Sequence, residues 1–152
     1  MTDLRQFDFD QFSQALPDAV AALRTLSQVS SQGMDKGLIE LLKVRVSQIN
    51  GCAYCLQLHL NWARKAGVPQ AKLDRIAVWR ETSGFDATER IVLAWAESLT
   101  GMGRHGGTEA AYQALQQTFD AQQILRLTVA VATINAWNRI AGPLGFEPPA
   151  AT

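Results

Sequence analysis

The chain has little charge and no net charge. Lys and Arg number 14, as do Asp and Glu, and charged residues make up 18% of the 152 positions, against about 25% in average globular proteins. A surface that binds nucleic acid or an anionic membrane needs a basic excess, so we expect neither partner. Few charges also leave copies of a chain little mutual repulsion. The composition therefore points to a homo-oligomer in which part of the surface is covered.

Long apolar runs are also missing. The longest, residues 127–134, spans about eight residues and includes two threonines, whereas a membrane-spanning helix needs about 20 apolar residues. The first twelve residues mix acidic side chains with phenylalanine and lack the basic start and apolar stretch of a signal peptide. We therefore expect a cytoplasmic protein with one domain, residues 1–152, that folds without disulfides or metals.

Cysteine occurs only twice, at Cys52 and Cys55. A secreted domain held by disulfides carries more cysteines, spread along its chain, and a stable disulfide is not expected in the cytoplasm. A C-x-x-C pair in that compartment therefore calls for a redox or a metal explanation.

Helix signals recur along the whole chain, and strand signals are nearly absent. Apolar spacing and capping residues predict helices that begin near Pro17, Asp35, Cys52, Pro69, Asp86, Thr108 and Asp120. Asn50–Gly51 is a stop signal for the second of these helices, and we expect the last to end at about Ile140. The sequence thus predicts an all-α fold of about six to seven helices, with the C-x-x-C pair at the N-terminus of a central helix. Residues 147–152 are expected to fray.

The segment around the two cysteines holds the side chains best suited to chemistry. Cys52, Cys55 and His59 stand at positions i, i+3 and i+7, so one helix face presents all three. A helix that begins near Gly51 directs free N–H groups and a positive dipole end at the cysteines, which lowers a thiol pKa. Lowering that pKa from about 8.5 to about 6.5 takes about 2.7 kcal/mol, within reach of a helix end and His59. The pair can also close a disulfide, so the segment offers a nucleophile, a resolving thiol and a base.

Other interpretations of these residues stay open. Both cysteines and His59 can be core residues, although packing alone does not ask for this spacing. A zinc site needs four ligands, and the sequence adds only the remote His105. Covalent haem requires a histidine directly after the second cysteine, where this chain has Leu56. We therefore expect no metal and no cofactor.

The glycine-rich segment 101–106 reads G-M-G-R-H-G and matches a dinucleotide-binding pattern letter for letter. That pattern must follow a strand, and the preceding residues predict a helix. The glycines therefore indicate a loop between two helices, with His105 in solvent rather than in a catalytic site.

Glu40 stands 52 − 40 = 12 positions before Cys52, which completes the pattern E-x₁₁-C-x-x-C-x₃-H. This pattern resembles that of the AhpD-like alkylhydroperoxidases within the carboxymuconolactone decarboxylase superfamily. Residues 37–100 resemble their core domain, including A-V-W-R-E-T at 77–82 and L-A-W-A-E at 93–97, and I-N-A-W-N-R at 134–139 resembles the last helix of the stand-alone members. The resemblance implies an AhpD-like helical fold.

The resemblance also implies a role for each residue of the motif. Cys55 resembles the cysteine that attacks peroxide and becomes a sulfenic acid, and Cys52 resembles the resolving thiol that donates a proton and closes the disulfide. His59 and Glu40 resemble the relay that draws the proton from the thiols. The positive end of the helix dipole alone would instead activate Cys52, which lies closer to the start of the helix. Tyr54 is a departure, because AhpD has a histidine between its cysteines.

These roles imply a thiol-dependent peroxidase. Its substrate is a hydroperoxide, its reductant is an external dithiol or thiol protein, and it assembles as a homotrimer or homohexamer. Two alternatives are a lyase similar to carboxymuconolactone decarboxylase and a non-catalytic, redox-sensing oligomeric module.

Two further sets of polar residues have competing interpretations. Glu40 has Lys36 and Lys43 at positions i−4 and i+3, so it is either a solvated ion-pair residue or a buried acid beside His59, which the family spacing favours. In the apolar last helix, three polar residues either bond across a subunit interface or close the active-site pocket, and the structural role is favoured: Asn135, Asn138 and Arg139.

Overall fold

The computed structural model describes residues 7–102 and 108–152, and all of their regular structure is helical. The α-helices are α1 (Phe9–Ala15), α2 (Pro17–Ser31), α3 (Lys36–Asn50), α4 (Ala53–Lys65), α5 (Gln70–Leu73), α6 (Ala87–Thr100), α7 (Thr108–Thr118) and α8 (Ala121–Leu144). A 3₁₀ helix, Ile76–Glu81, lies between α5 and α6. The all-α prediction is confirmed. None of these helices has both the length and the apolar character needed to cross a membrane.

Helix α3 lies at the centre of the fold and packs against α4, α6 and α8. Nine of its 15 residues are buried, including the polar Glu40 and Lys43. The Asp35 carboxylate accepts a 2.8 Å hydrogen bond from the Leu38 amide at its start. Gly51 ends it in the left-handed conformation with φ 66°, which a residue without a Cβ adopts readily. The predicted stop at Asn50–Gly51 is confirmed, and it turns the chain so that α4 packs back along α3.

Helix α8 is the longest helix and packs against α2, α3, α4 and α6. It ends at Leu144 rather than near the predicted Ile140, and Gly145 caps it at φ 69°. Pro143 lies in the last turn, where its missing N–H removes a single backbone bond on an exposed side of the helix. A proline so near the end therefore does not stop the helix.

The segment after Pro69 differs from the predicted α-helix. Only α5 is α-helical there, and a 3₁₀ helix with a non-helical Val78 follows. The residues buried along this segment are Leu73, Ile76 and Trp79. They are spaced three apart, which matches the 3.0 residues per turn of a 3₁₀ helix rather than the 3.6 of an α-helix.

The two ends of the described chain are more ordered than the sequence suggested. Helix α1 was not predicted, although Asp8 and Gln11 form a capping box at its start. The expectation of a frayed tail was wrong. The Asn61 side chain donates to the Ala150 carbonyl at 2.8 Å and accepts from the Thr152 amide at 3.0 Å. An amide side chain can pair with the backbone in this way because it has both a donor and an acceptor.

The glycine-rich segment follows a helix, as predicted, because α6 continues to Thr100. A dinucleotide fingerprint would have to follow a strand. Residues 103–107, and with them His105, lie outside the described part of the chain.

Candidate active site

The C-x-x-C pair occupies the start of α4, as predicted. Cys52 is the N-cap residue, and its sulfur accepts a 3.4 Å hydrogen bond from the backbone amide of Cys55. The Cys52 amide donates to the Ser47 carbonyl at 3.1 Å, which holds the cap against the end of α3. Both cysteines are reduced and only 2% exposed. The corner between α3 and α4 therefore places both thiols in the interior, one helical turn apart.

The two thiols have unequal acidity. The pKa of Cys52 is lowered to about 7, chiefly because the Cys55 thiol donates a hydrogen bond to its sulfur, with help from the Cys55 amide and the Asn138 side chain and against the effect of burial. The pKa of Cys55 is raised, because its proton is held by the Cys52 sulfur and because burial beside that charge disfavours a second thiolate. In the singly deprotonated pair, the negative charge therefore rests on Cys52.

The two cysteines also differ in access from the cavity, and here Cys55 rather than Cys52 is favoured. A cavity of about 210 Å³ lies between α1, α2, α3, α4 and α8, and Cys55 lines it whereas Cys52 does not. Aromatic side chains form much of its wall, namely Phe9, Tyr54, Trp62 and Trp137. A molecule that enters the cavity therefore meets Cys55 first.

His59 lines the same cavity one turn after Cys55. Its Nδ1 lies 2.7 Å from Glu40 Oε2, and both side chains are buried. Burial lowers the pKa of His59 against the opposing pull of the Glu40 charge, so the imidazole is neutral at pH 7. A carboxylate can only accept, so Nδ1 carries the proton and Nε2 keeps a lone pair. The interpretation of Glu40 as a solvated ion-pair residue is wrong, because α4 covers it.

Lys43 is also buried at this site, with 4% of its surface exposed. Its Nζ lies 3.8 Å from Glu40 Oε1 and donates to Ser27 Oγ at 3.2 Å. Burial lowers its pKa, and the Glu40 charge partly offsets that effect. In the sequence, Lys43 stands out only as the i+3 neighbour of Glu40. Its place in the cavity wall depends on α2 and could not be read from local spacing.

The polar residues of α8 form hydrogen bonds within the chain and do not need another subunit as a partner. Asn138 accepts from Asn50 Nδ2 at 2.9 Å and donates to Ser47 Oγ at 3.2 Å, and its side chain helps to lower the pKa of both cysteines. Asn135 accepts from the same Asn50 amide at 2.9 Å and from Arg139 at 2.7 Å. These bonds give the residues a structural role within one chain, and Asn138 closes the inner side of the cysteine site.

Tyr54 belongs to the wall of the cavity. Its ring stacks on Phe9 at a centroid distance of 5.8 Å and meets the edge of Phe146 at 5.5 Å. Burial raises its pKa, so its hydroxyl is neutral at pH 7. This chain therefore has a neutral aromatic residue between its two cysteines.

No three His, Cys, Asp or Glu side chains of the described ranges, 7–102 and 108–152, come together in a way that could hold a metal ion. Cys52, Cys55 and His59 thus form no three-ligand set in this structure. The fourth residue of the zinc interpretation, His105, lies outside these ranges.

Residues 14–98 match the model of the carboxymuconolactone decarboxylase family. The chain belongs to this family. It contains an AhpD-like core domain, and two comparisons with curated proteins agree. YdfG of Bacillus subtilis strain 168, an uncharacterized protein, is 28% identical over 130 residues that make up 85% of this chain and 88% of YdfG. The alkyl hydroperoxide reductase AhpD of Nocardia farcinica is 45% identical over 51 residues, which are 34% of this chain and 28% of AhpD.

Solved structures show the same fold. A protein of unknown function from Agrobacterium tumefaciens, with a proposed assignment as the antioxidant defence protein AhpD, is 34% identical with a TM-score of 0.86, over 91% of this chain and 96% of that one. The debrominase Bmp8 is 17% identical with a TM-score of 0.78, over 88% of this chain and 72% of that one. The fold therefore occurs with different named activities, and the reaction must be argued from the site.

Proposed function

We propose that this protein reduces organic hydroperoxides with Cys55 as the nucleophile and Cys52 as the resolving thiol. One observation carries the proposal: Cys55 lines the cavity and Cys52 does not, while the hydrogen bond from the Cys55 thiol gives Cys52, one turn away, the lower pKa. The protonated thiol that meets the substrate is therefore already bonded to the group that can take its proton.

The first step begins with a singly deprotonated pair. As the Cys55 sulfur attacks the outer oxygen of the substrate, its proton moves to the Cys52 thiolate. An S–O bond forms, the O–O bond breaks, and the departing alkoxide takes the proton back from Cys52. The products are an alcohol, a sulfenic acid on Cys55 and a restored thiolate on Cys52.

The second step closes the disulfide. The Cys52 thiolate attacks the Cys55 sulfur, an S–S bond forms, and the S–O bond of the sulfenic acid breaks to release hydroxide. The two cysteines supply the two electrons that the peroxide gains. The short reach between residues of one helical turn favours this closure over further oxidation of the sulfenic acid.

His59 and Glu40 serve as the proton relay in this proposal. Below the pKa of Cys52 the pair holds two protons, and one must leave before the first step. Nε2 of His59 accepts it, and the Glu40 carboxylate at 2.7 Å from Nδ1 stabilises the imidazolium that forms. The same proton converts the released hydroxide into water, which closes the balance of the cycle.

An external dithiol restores the pair by exchange. Its thiolate reaches Cys55 through the cavity and forms a mixed disulfide, and Cys52 leaves. A leaving thiol with a lower pKa departs faster, so the lowered pKa of Cys52 favours this direction. Because the cycle consumes reduced dithiols, we infer a cytoplasmic location.

Steady-state consumption of cumene hydroperoxide with dithiothreitol as reductant tests the proposal. We expect turnover by the wild type and none by Cys55→Ser. A Cys55→Ser protein with full activity would refute the assignment of the nucleophile.

A second candidate is a lyase reaction similar to that named for the family. The buried His59–Glu40 pair favours it, since a base oriented by a carboxylate beside a cavity can also abstract a carbon-bound proton. This activity would not need the cysteines. Turnover of a carboxylated lactone that persists in a Cys52→Ser, Cys55→Ser double variant would support the lyase over the peroxidase.

A redox-sensing module without catalysis is the third possibility. It would form the disulfide once with peroxide and then change its assembly. Size-exclusion chromatography of the oxidised and reduced protein, beside the turnover assay, separates this function from an enzyme.

A further inference from the structure

The cavity beside Cys55 carries two cationic side chains that the peroxidase chemistry does not use. Lys43 reaches it from α3 and Arg24 from α2. Lys43 is buried, whereas Arg24 is exposed and lies over the ring of Phe9 at 5.6 Å. No Asp or Glu is among the described residues that line the cavity. A ligand inside it therefore faces positive charge.

Lys43 has the capacity to bind a further acceptor. An ammonium group has three donors, and the described residues supply two acceptors, Ser27 Oγ at 3.2 Å and the more distant Glu40 Oε1 at 3.8 Å. Glu40 makes its short contact with His59 instead, at 2.7 Å. The lysine is thus held by Ser27 and by a longer ion pair with Glu40, and these two contacts leave one of its three donors for a ligand.

The rest of the cavity is small and mostly apolar, although Ser27, His59 and Thr133 also line it. Besides the aromatic wall, Leu58 and Ile134 line it, and its volume is about 210 Å³. An apolar cavity of about 150 Å³ takes up benzene. The cavity therefore suits a ligand with a single ring or a short branched chain.

We propose that the cavity selects small apolar hydroperoxides that carry a carboxylate, with Lys43 and Arg24 as the residues that bind the carboxylate. This inference rests on the proposed peroxidase function and names the substrate class of the same site. The apolar body would lie among the aromatic side chains and the hydroperoxide at Cys55. A carboxylate bound to a buried ammonium gains a charge-assisted hydrogen bond, while the corresponding amide or ester would offer the lysine only an uncharged acceptor.

Binding can be measured without any reaction by using probes that lack an O–O bond. We would titrate the reduced wild type with 4-isopropylbenzoate and with 4-isopropylbenzamide by calorimetry. Hydrogen bonds to charged groups are strong enough to predict at least about tenfold tighter binding of the benzoate. Lys43→Met should remove this preference and leave the affinity for the benzamide unchanged.

Two further variants serve as a control and as a second test of the carboxylate site. Lys36→Met removes the same charge from an exposed position of α3 and should keep the full preference. Arg24→Gln changes an exposed residue and should weaken the preference by a few-fold, which tests the proposal even if Lys43→Met does not fold. A preference that survives in Arg24→Gln and in folded Lys43→Met would overturn the assignment, and so would equal binding of the two probes by the wild type. Acetate that competes as well as the benzoate would also overturn it, because the site would then bind any small anion.

A kinetic comparison separates this inference from the peroxidase proposal. Cumene hydroperoxide and its 4-carboxylate differ only in the charged group, and kcat/KM should favour the carboxylate in the wild type. Turnover of both at equal kcat/KM, with equal binding of the two probes, would contradict the substrate class and leave the peroxidase intact. A retained preference for the benzoate without any peroxide turnover would contradict the peroxidase and leave the carboxylate site.

Discussion

Glu40 Oε2 lies 2.7 Å from His59 Nδ1, and the two residues are 19 positions apart on neighbouring helices. The contact forms because Gly51 turns the chain between α3 and α4, so that a residue before the corner faces one after it. A buried carboxylate in this position fixes the tautomer of the imidazole and leaves Nε2 facing away from Glu40 as a proton acceptor. The proposed relay therefore depends on the charge of Glu40 as well as on its shape.

Replacing His59 should slow peroxide turnover more than replacing Glu40. His59→Gln removes the proton acceptor, and loss of a general base typically costs about 100-fold or more in rate. Glu40→Gln keeps an oxygen for Nδ1–H but removes the charge that stabilises the imidazolium, so we expect a smaller loss. Steady-state kcat measures both, with exposed Lys36→Met as the control. Equal kcat in wild type and His59→Gln would contradict the relay.

Variants of the two cysteines should block the proposed reaction at different steps. Cys55→Ser should consume no peroxide, because the remaining thiol does not line the cavity. Cys52→Ser should react once and stop at a sulfenic acid on Cys55, which dimedone traps for mass spectrometry. Trapping in the Cys55→Ser protein instead would reverse the assigned roles.

The first thiol ionisation should have a pKa of about 7, measured by the ultraviolet absorbance of the thiolate. Activity should fall as the pH drops through this value, because the pair then gains its second proton. His59, whose pKa is lowered by burial, stays neutral over that range and does not set the acid limb. Cys55→Ala removes the largest cause of the shift, so the pKa of Cys52 should rise toward its ordinary value. An unchanged pKa in Cys55→Ala would contradict the thiol–thiolate hydrogen bond.

Asn138 and Asn135 provide a matched pair of variants. Both bond to the Asn50 side chain, but only Asn138 also lowers the pKa of Cys52. Each change to alanine should lower stability by about 1 kcal/mol or more, since buried polar partners lose a hydrogen bond. Only Asn138→Ala should also raise the first thiol pKa. The same thiol pKa shift in both variants would indicate a general loosening of the site.

The predicted homo-oligomer can be tested with a variant on the exposed side of α8. Leu125 is 65% exposed, and Val129, Ala132 and Ala136 follow it at helical spacing with part of their surface uncovered. We expect these apolar residues to contact other copies, so the protein should sediment well above 16.6 kDa as a trimer or hexamer. Leu125→Glu should shift it toward the monomer, and a monomeric wild type would contradict the prediction.

The parts of the site that sequence could predict are those within one or two adjacent helices. The spacing of Cys52, Cys55 and His59 lies on a single helix, and the glycine corner then brings Glu40 to it. The cavity could not be predicted, because its wall also needs Phe9 from α1 and residues of α2 and α8. Tertiary packing also decided the 3₁₀ helix, in a segment where the sequence predicts an α-helix that begins near Pro69.

Cys52 also has a structural role, which disulfide formation in the proposed redox cycle would remove. Its sulfur is the acceptor that caps the first turn of α4, and a thiolate accepts a backbone hydrogen bond far better than a disulfide sulfur does. Loss of a helix cap typically costs about 1 kcal/mol. Each turnover should therefore loosen and re-form the first turn of this helix, and hydrogen exchange at the Cys55 amide should be faster in the oxidised protein than in the reduced one. A partner that binds the first turn of α4 would then distinguish the oxidised from the reduced protein by the stability of that turn.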